Sequence, residues 1–445
     1  MSAPPDSSKN EPGSERTDSP AVQRRHEPFG ALKNGEFRLL LVGNILSMLG
    51  MQALLTTVAW EVFHRTHEAW PLALLGLVQF VPVMLLCLPA GQIVDRFERR
   101  RVLLCAMLVL LAGALILTVN SAREGPLAIT YVTLAIVGGA RAFAQPARAA
   151  LLPEVVARDD FANAVAWSSG GFQFTMVAGP ALGGWLTYLT GGATAVYALT
   201  AVCCLVYLVC LAMIRPRPRP TSREPITLQS LAAGLSFVWN SRLILAAIAL
   251  DMFAVLLGGA TAMIPVYADE ILQVDPLGMG WLRSAPGVGA VLMSVVLTLR
   301  PPLRRAGRAL LWAVVVFGLM TIGFGLSRSF PLSFACLLVL GAADMISVVV
   351  RHTLVQMQTP DAMRGRVSAV NGLFITASNE LGEFESGSVA HLFRRETDPT
   401  FGPMVAVVSG GIGTILVVAL VAVLCPALRR YGEGEAVIAK SQSPK

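Results

Sequence analysis

The sequence predicts an all-α integral membrane protein of twelve transmembrane helices, arranged as two six-helix bundles related as parallel repeats. Three observations carry that expectation. Charged residues make up 14% of the 445-residue chain, 54% of it is hydrophobic and its mean hydropathy is +0.63, whereas a soluble domain carries roughly 25% charge. From about Leu39 to Cys425 the chain is a succession of apolar runs, each of roughly 17–25 residues and so able to cross about 30 Å of hydrocarbon as a helix. The strict alternation of a barrel strand is missing, and the second half echoes the first at a near-constant spacing.

In chain order, residues 1–36 are rich in Pro, Ser, Glu and Arg without an apolar stretch, so they read as a disordered cytoplasmic tail rather than a cleaved signal. Spans begin near Leu39, Pro71, Val102, Leu127, Ala162 and Ala193 in the first bundle, residues 37–214. Residues 215–240 read as a cytoplasmic linker: 215–225 are rich in Arg and Pro, and 226–239 carry apolar residues at the spacing of an interfacial helix. The second bundle, residues 241–428, has spans beginning near Leu243, Leu277, Ala309, Leu332, Val367 and Met404, and residues 429–445 form a second tail.

Orientation follows from the short loops. Arg96, Arg99, Arg100 and Arg101 follow span 2; Arg215, Arg217, Arg219 and Arg223 follow span 6; Arg300, Arg304, Arg305 and Arg308 follow span 8. The opposite loops are poor in basic residues, and the one after span 7 holds Asp269, Glu270 and Asp275. Both termini are therefore expected in the cytoplasm, with the chain multi-pass in the cell inner membrane. The net charge of +7 follows from this bias, so no nucleic-acid partner is invoked. The cysteines Cys87, Cys105, Cys203, Cys204, Cys210, Cys336 and Cys425 fall inside apolar runs without metal-ligand spacing, so neither a disulfide nor a metal is expected. His352 and His391 read as interfacial, and Trp60, Trp70, Trp185 and Trp281 as belt residues.

The halves repeat. A shift of 204 residues lays Arg38-Leu39 on Arg242-Leu243 and Pro82 on Pro286; a shift of 203 lays Gly138 and Arg141 on Gly341 and Asp344, and Arg148 on Arg351; a shift of 199 lays Leu182-Gly183 on Leu381-Gly382. Parallel repeats of this length are a transporter architecture.

Span 2 ends in Gly91-Gln-Ile-Val-Asp95-Arg96-Phe-Glu-Arg99-Arg100. This resembles the loop signature of the major facilitator transporters, Gly-X-X-X-Asp-Arg-X-Gly-Arg-Arg, with Glu98 where that family usually has Gly. Span 5 carries Gly179-Pro180-Ala-Leu-Gly183-Gly184, similar to the Gly-Pro-X-X-Gly-Gly core of the antiporter branches, with Thr175 and Ala166 in place of its upstream glycines. Residues 142–154 and Arg364-Gly365-Arg366 resemble the branch that includes macrolide efflux pumps and enterobactin-type siderophore exporters. The resemblance implies alternating access, with Asp95 as a gate contact and spans 1, 4, 7 and 10 lining a central cavity. Independently, a helix face stripped to Gly, with Pro removing a backbone donor, permits close approach and bending, whether for rocking or for static packing.

Ionisable residues inside spans are costly and point to function. Arg141, Asp251 and Asp344 lie near the middle of spans 4, 7 and 10. Arg141 and Asp344, equivalent in the repeat, are expected to face each other, as a coupled pair or as a fixed one that sets helix register. Arg283 lies in span 8, and Glu380, Glu383 and Glu385 lie in span 11. Glu380 and Glu383 share a helix face, while Glu385 is about 140° away from Glu380. Two carboxylates within about 6 Å repel, so Glu380 is expected to carry a coupling proton tuned by Glu383; alternatively these glutamates line a wet outer vestibule.

No Gly-X-X-X-X-Gly-Lys-Ser/Thr occurs, and no enzyme activity, ATP or cofactor is expected. The expected function is export of small amphipathic or aromatic molecules of drug or siderophore type by a monomer in the lipid bilayer, driven by proton antiport. An importer of an organic anion by proton symport, using Arg141 and Arg283, and a non-transporting sensor or scaffold remain alternatives. Uptake of labelled acids set against secretion phenotypes separates the first, and a cavity-blocking Gly138→Trp the second.

Overall fold

The computed structural model describes residues 29–157, 159–215, 228–300 and 305–431. Most of the expected first tail, linker residues 216–227, Arg304 and residues 432–445 lie outside the described residues. Among the described residues the chain is helical throughout, with one isolated bridge between Arg395 and Asp398.

The first half holds α1 (Gly35–Thr66), α2 (Ala69–Arg96), α3 (Arg99–Ala122), α4 (Leu127–Val155), α5 (Phe161–Thr190) and α6 (Thr194–Met213). A short α7 (Leu228–Asn240) packs on α13 (Asp361–Leu392). The seventh span starts as α8 (Arg242–Leu257) and stops at Gly258 and Gly259. It resumes as a 3-10 turn, a three-residue α9 (Ile264–Val266) and a π turn through Tyr267–Ile271. Then come α10 (Pro276–Leu299), α11 (Ala306–Leu326), α12 (Phe330–Gln358), α13, α14 (Phe401–Leu424) and α15 (Pro426–Arg430).

Local chemistry sets several boundaries. The Asn34 carboxamide accepts from the N–H groups of Glu36 (2.9 Å) and Phe37 (3.4 Å), and its own amide donates to the Val155 carbonyl at 2.8 Å. It both caps α1 and ties that cap to the end of α4. Asp275 caps α10 through the Gly278 N–H at 2.8 Å, with Pro276 in the first turn.

Ten of the rods, counting the broken span Arg242–Ile271 as one, are long and apolar enough to cross a bilayer by length and composition. The other two of the twelve expected spans fall in α5 and α13. α5 and α13 are long, at 30 and 32 residues, but α5 is diluted by Gly, Ser and Thr and α13 carries Asp, Arg, Asn and Glu. These are the helices with the glycine motif and the span-11 glutamates. The seventh span is broken at Gly258 and Gly259, where a side chain would collide with its neighbours. A Cβ on Gly258 lies 2.5 Å from the Phe317 ring, and one on Gly259 lies 2.8 Å from the Gly382 carbonyl.

α1 packs on α5 and α6, α4 on α2 and α3, and α3 on α6; α12 packs on α10 and α11, and α14 on α11, α8 and α13. The main pairs that join these sets are α2 with α13 and α5 with α10. The apolar cores have the same logic. At the face that bears the arginine-rich loops there are two separate clusters, one around Phe37, Leu103, Leu151 and Leu211 and one around Ile244, Leu310, Leu354 and Val367. At the opposite face a single cluster runs through both sets, from Leu54 and Phe63 to Tyr267, Leu282, Leu337 and Val407. The molecule is joined at one face and divided at the other.

Candidate functional site

The joined face is sealed by glycines. A Cβ on Gly184 of α5 lies 2.7 Å from Gly280 Cα of α10, and one on Gly280 lies 2.8 Å from the Pro180 carbonyl. On the other side a Cβ on Gly76 of α2 meets the Glu380 carbonyl at 2.7 Å and Glu383 Cβ at 2.9 Å, and one on Gly387 of α13 meets Ala73 Cα at 2.8 Å. Gly76 and Gly280 stand 204 residues apart, and Gly184 and Gly387 stand 203 apart, close to the spacing of the repeat. Gly179 and Gly183 do a different job, facing α1: their Cβ positions lie 3.2 Å from the Leu49 carbonyl and 2.8 Å from that of Ala53. Side chains reinforce the seal at its rim. Arg394 bonds Glu68 at 2.9 Å, His67 approaches Asp269 at 3.7 Å, and Trp70, expected in a lipid belt, lies 5.6 Å from His391 and 6.0 Å from Phe384 between ring centroids.

Below the seal lies a cavity of about 360 Å³, walled by α1, α5, α8 and the break that follows it, α10, α11, α12 and α13. Gln52, Gln173, Arg283, Asp344, Asn379 and Glu383 supply its polar wall; Met176, Phe317 and Leu340 are among the apolar residues. A smaller cavity of about 60 Å³ lies toward the sealed face, lined by Leu55, Leu72, Gln79, Arg283, Glu380 and Glu383. Arg283 and Glu383 line both, 3.9 Å apart, so their ion pair is the partition between the two spaces.

The charged residues fall into two groups. Around the partition, Glu380 and Glu383 sit in the field of two guanidinium groups, Arg141 and Arg283. Away from it, Asp251 of α8 pairs with Arg351 of α12, both buried. Asp344 feels the charges of Asp251 and Arg351 and also borders the main cavity. This second group has two carboxylates and one guanidinium. Ser347 Oγ and Arg351 Nε, buried beside it, have no hydrogen-bond partner among the described residues, which leaves capacity next to Asp344.

Arg141 does not take Asp344 as its partner. Its guanidinium donates to Gln79 Oε1 at 3.1 Å across α2 and α4, while Asp344 belongs with Asp251 and Arg351. Glu380 and Glu383 come together as their helix face requires, and Glu385 instead accepts from the Ser386 hydroxyl at 3.2 Å. Gln79 and the amides Gln52, Gln173 and Asn379 had no signal in the sequence. Arg351 had one, its repeat position opposite Arg148.

In the span-2 motif, Gly91 is buried and Asp95 and Arg96 are exposed, with no hydrogen bond or ion pair among the described residues. Arg99 pairs with Glu154 of α4. Arg100 donates to the Leu211 and Ala212 carbonyls at 2.7 and 2.6 Å, capping the end of α6. The motif's last arginines thus fasten α3 to its own neighbours, and Asp95 stands free at the divided face.

Residues 26–432 match the family described as transmembrane secretion effector. The enterobactin exporter EntS of Shigella boydii serotype 18 (strain CDC 3083-94 / BS512) is 26% identical over 414 residues, covering 92% of this chain and 96% of that protein, and EntS of Escherichia coli O1:K1 / APEC gives the same identity and coverage. Among solved structures, a bacterial homolog of the human lysosomal transporter Spinster, in an inward-facing and unoccupied conformation, superposes with a TM-score of 0.66 at 15% identity, covering 89% of this chain and 96% of that one. The POT family transporter PepTSo superposes with a TM-score of 0.67 at 12% identity, covering 89% and 99%. The fold, the sealed and divided faces and this match along nearly the whole chain lead to one conclusion: the chain belongs to the transmembrane secretion effector family of the major facilitator superfamily, multi-pass membrane transporters of small molecules rather than enzymes.

Proposed function

We propose that this transporter exports small amphipathic or aromatic molecules from the cytoplasm in exchange for protons, by alternating access between residues 37–214 and residues 241–428. The arginine-rich loops support a cytoplasmic placement of the divided face and of both termini, so the conformer described here has its cavity open to the cell interior. The relatives' name as enterobactin exporters supports the outward direction.

The carrying observation is the charge count of the second group. Two carboxylates, Asp251 and Asp344, share Arg351, so one proton, or one positive charge on a substrate, balances the group. Asp344 is the member that borders the cavity and can meet either. Glu380 and Glu383, where the coupling proton was expected, lie in the field of two guanidinium groups, Arg141 and Arg283. We assign those glutamates to the partition with Arg283 and Arg141, and the coupling proton to Asp344. The organic-anion reading loses its support, because Arg283 already pairs with Glu383 and Arg141 already bonds Gln79.

The test is efflux from proteoliposomes, with and without an imposed pH gradient. Asp344→Asn is expected to bind substrate and to lose acceleration by the gradient, while Glu380→Gln keeps it. Gradient-driven efflux that survives in Asp344→Asn and disappears in Glu380→Gln would return the coupling role to the glutamates.

A further inference from the structure

We propose that His67 is an external-pH latch on the sealed face: protonated, it holds the turn between α1 and α2 against Asp269 of the other half, and neutral, it releases that contact. The latch presupposes the alternating access and membrane orientation inferred above, and is independent of which acid carries the coupling proton. α1 ends at Thr66 and α2 begins at Ala69, so His67 and Glu68 are the whole turn, and both reach across the seal. Glu68 accepts from Arg394 at 2.9 Å, and His67 Nδ1 lies 3.7 Å from Asp269 Oδ2. The first contact joins two groups that stay charged across physiological pH. The second is an ion pair only when the imidazole carries its second proton, which an ordinary histidine gains between about pH 8 and about pH 5.

Backbone geometry sets the position of the ring. His67 takes a left-handed φ of 49° and closes α1 by donating its N–H to the Phe63 carbonyl at 2.7 Å; its ring centroid lies 6.0 Å from those of Phe63 and His64. Its side chain is 61% exposed, so protons from outside reach it while the seal is shut. The charges around it are uneven. Across the seal, the turn through Tyr267–Ile271 presents Asp269 and Glu270, and Glu270 lies in the field of both His67 and Arg394. Arg394 is engaged by Glu68, and on the near side Arg65 is engaged by Glu61 and by the Glu124 and Gly125 carbonyls. Asp269 makes an ion pair with His67 alone among the described residues.

The other histidines of this face are placed differently. His64 stacks on Trp60 of its own helix at 4.8 Å, and His391 lies 5.6 Å from Trp70 between ring centroids, so each faces an indole rather than an acid. Because a charged His67 has Asp269 beside it only where the halves meet, proton uptake and closure of this face favour each other. An ion pair between exposed groups shifts such an equilibrium by a factor of about 1.5–5. An acidic exterior therefore returns the emptied carrier to the conformer that faces the cell interior, and a neutral or alkaline one leaves the outer face easier to open.

Spin labels on Tyr188→Cys and Leu326→Cys, exposed positions near the ends of α5 and α11, report the separation of the halves by double electron–electron resonance in the full-length protein in lipid nanodiscs. Asp344→Asn with Cys87→Ser and Cys105→Ser is the background, which takes the proposed coupling acid out of the pH response. The ratio of sealed to open protein is expected to rise about 1.5- to 5-fold from about pH 8 to about pH 5. His67→Gln is expected to be flat, His67→Lys to hold the acid ratio at both ends of the range, and His64→Gln and His391→Gln to respond as the background does. A response that survives in His67→Gln, or no response in the background, overturns the latch. A distance that fails to widen even in Gly184→Val, which crowds α5 against α10, overturns alternating access and the latch with it.

Discussion

Replacing Gly184 with valine is expected to prise open the sealed face and shift the transporter toward its other conformer. A Cβ at Gly184 lies 2.7 Å from Gly280 Cα and 3.0 Å from Gly280 N, backbone atoms that no rotamer change can move. Carbon contacts settle at about 3.5–4.0 Å, so α5 and α10 must part by about 1 Å for the first carbon, and further for the two methyls beyond it. Overpacking of this kind costs about 1–3 kcal/mol, and under the alternating access proposed above it falls on the sealed conformer, where the helices touch. The equilibrium then moves by roughly 5- to 150-fold. Leu72→Cys, in a Cys105→Ser background, reports the change through its rate of labelling by a water-soluble maleimide, since Leu72 is buried at the seal. Gly170→Val on the same helix is the control, because nothing lies within 4 Å of its Cβ. Labelling that rises at least about fivefold in Gly184→Val and stays flat in Gly170→Val supports the account. Unchanged labelling in a folded Gly184→Val protein refutes it.

Arg351→Met strands the buried Asp251 carboxylate and is expected to cost about 3–5 kcal/mol, seen as a lowered melting temperature in detergent; adding Asp251→Leu is expected to recover the melt without recovering transport. Exchanging the charges of Arg141 and Asp344 is expected to give no rescue over the single substitutions, since their partners are Gln79 and Arg351; recovered efflux in the swapped protein contradicts these partners. Asp95→Asn is expected to leave the melt unchanged, because Asp95 is exposed without a partner in this conformer, and to abolish efflux; normal efflux removes the gate assignment. At the start of α14, the Thr400 hydroxyl and N–H donate to Asp398 at 2.7 and 3.0 Å and hold its carboxyl below the usual range. That depressed acid steadies the helix start above about pH 4 and stops doing so as pH falls through its lowered value, so Asp398→Asn is expected to reduce amide protection of the first turn of α14 at pH 6, with the difference from the unsubstituted protein narrowing as the acid is protonated at lower pH.

The membrane class, the helical periodicity, the arginine-rich loops and the repeat are all legible in the sequence, because each depends on composition and local spacing. So is the shared face of Glu380 and Glu383, fixed by helix geometry alone. Gly179, Pro180, Gly183 and Gly184 are legible as a motif, yet only packing divides them, with Gly179 and Gly183 against α1 and Gly184 against α10. Partner choice is likewise tertiary. Arg141 and Asp344 are equivalent in the repeat, but Arg141 meets Gln79 on α2, and Asp344 joins an Asp251–Arg351 pair brought together from α8 and α12. The break at Gly258 and Gly259, and the partition of Arg283 and Glu383 between two cavities, also arise from helices distant in the chain. Sequence sets what each helix can present to a neighbour, and only the close approach of helices that share no local spacing decides which charge meets which partner.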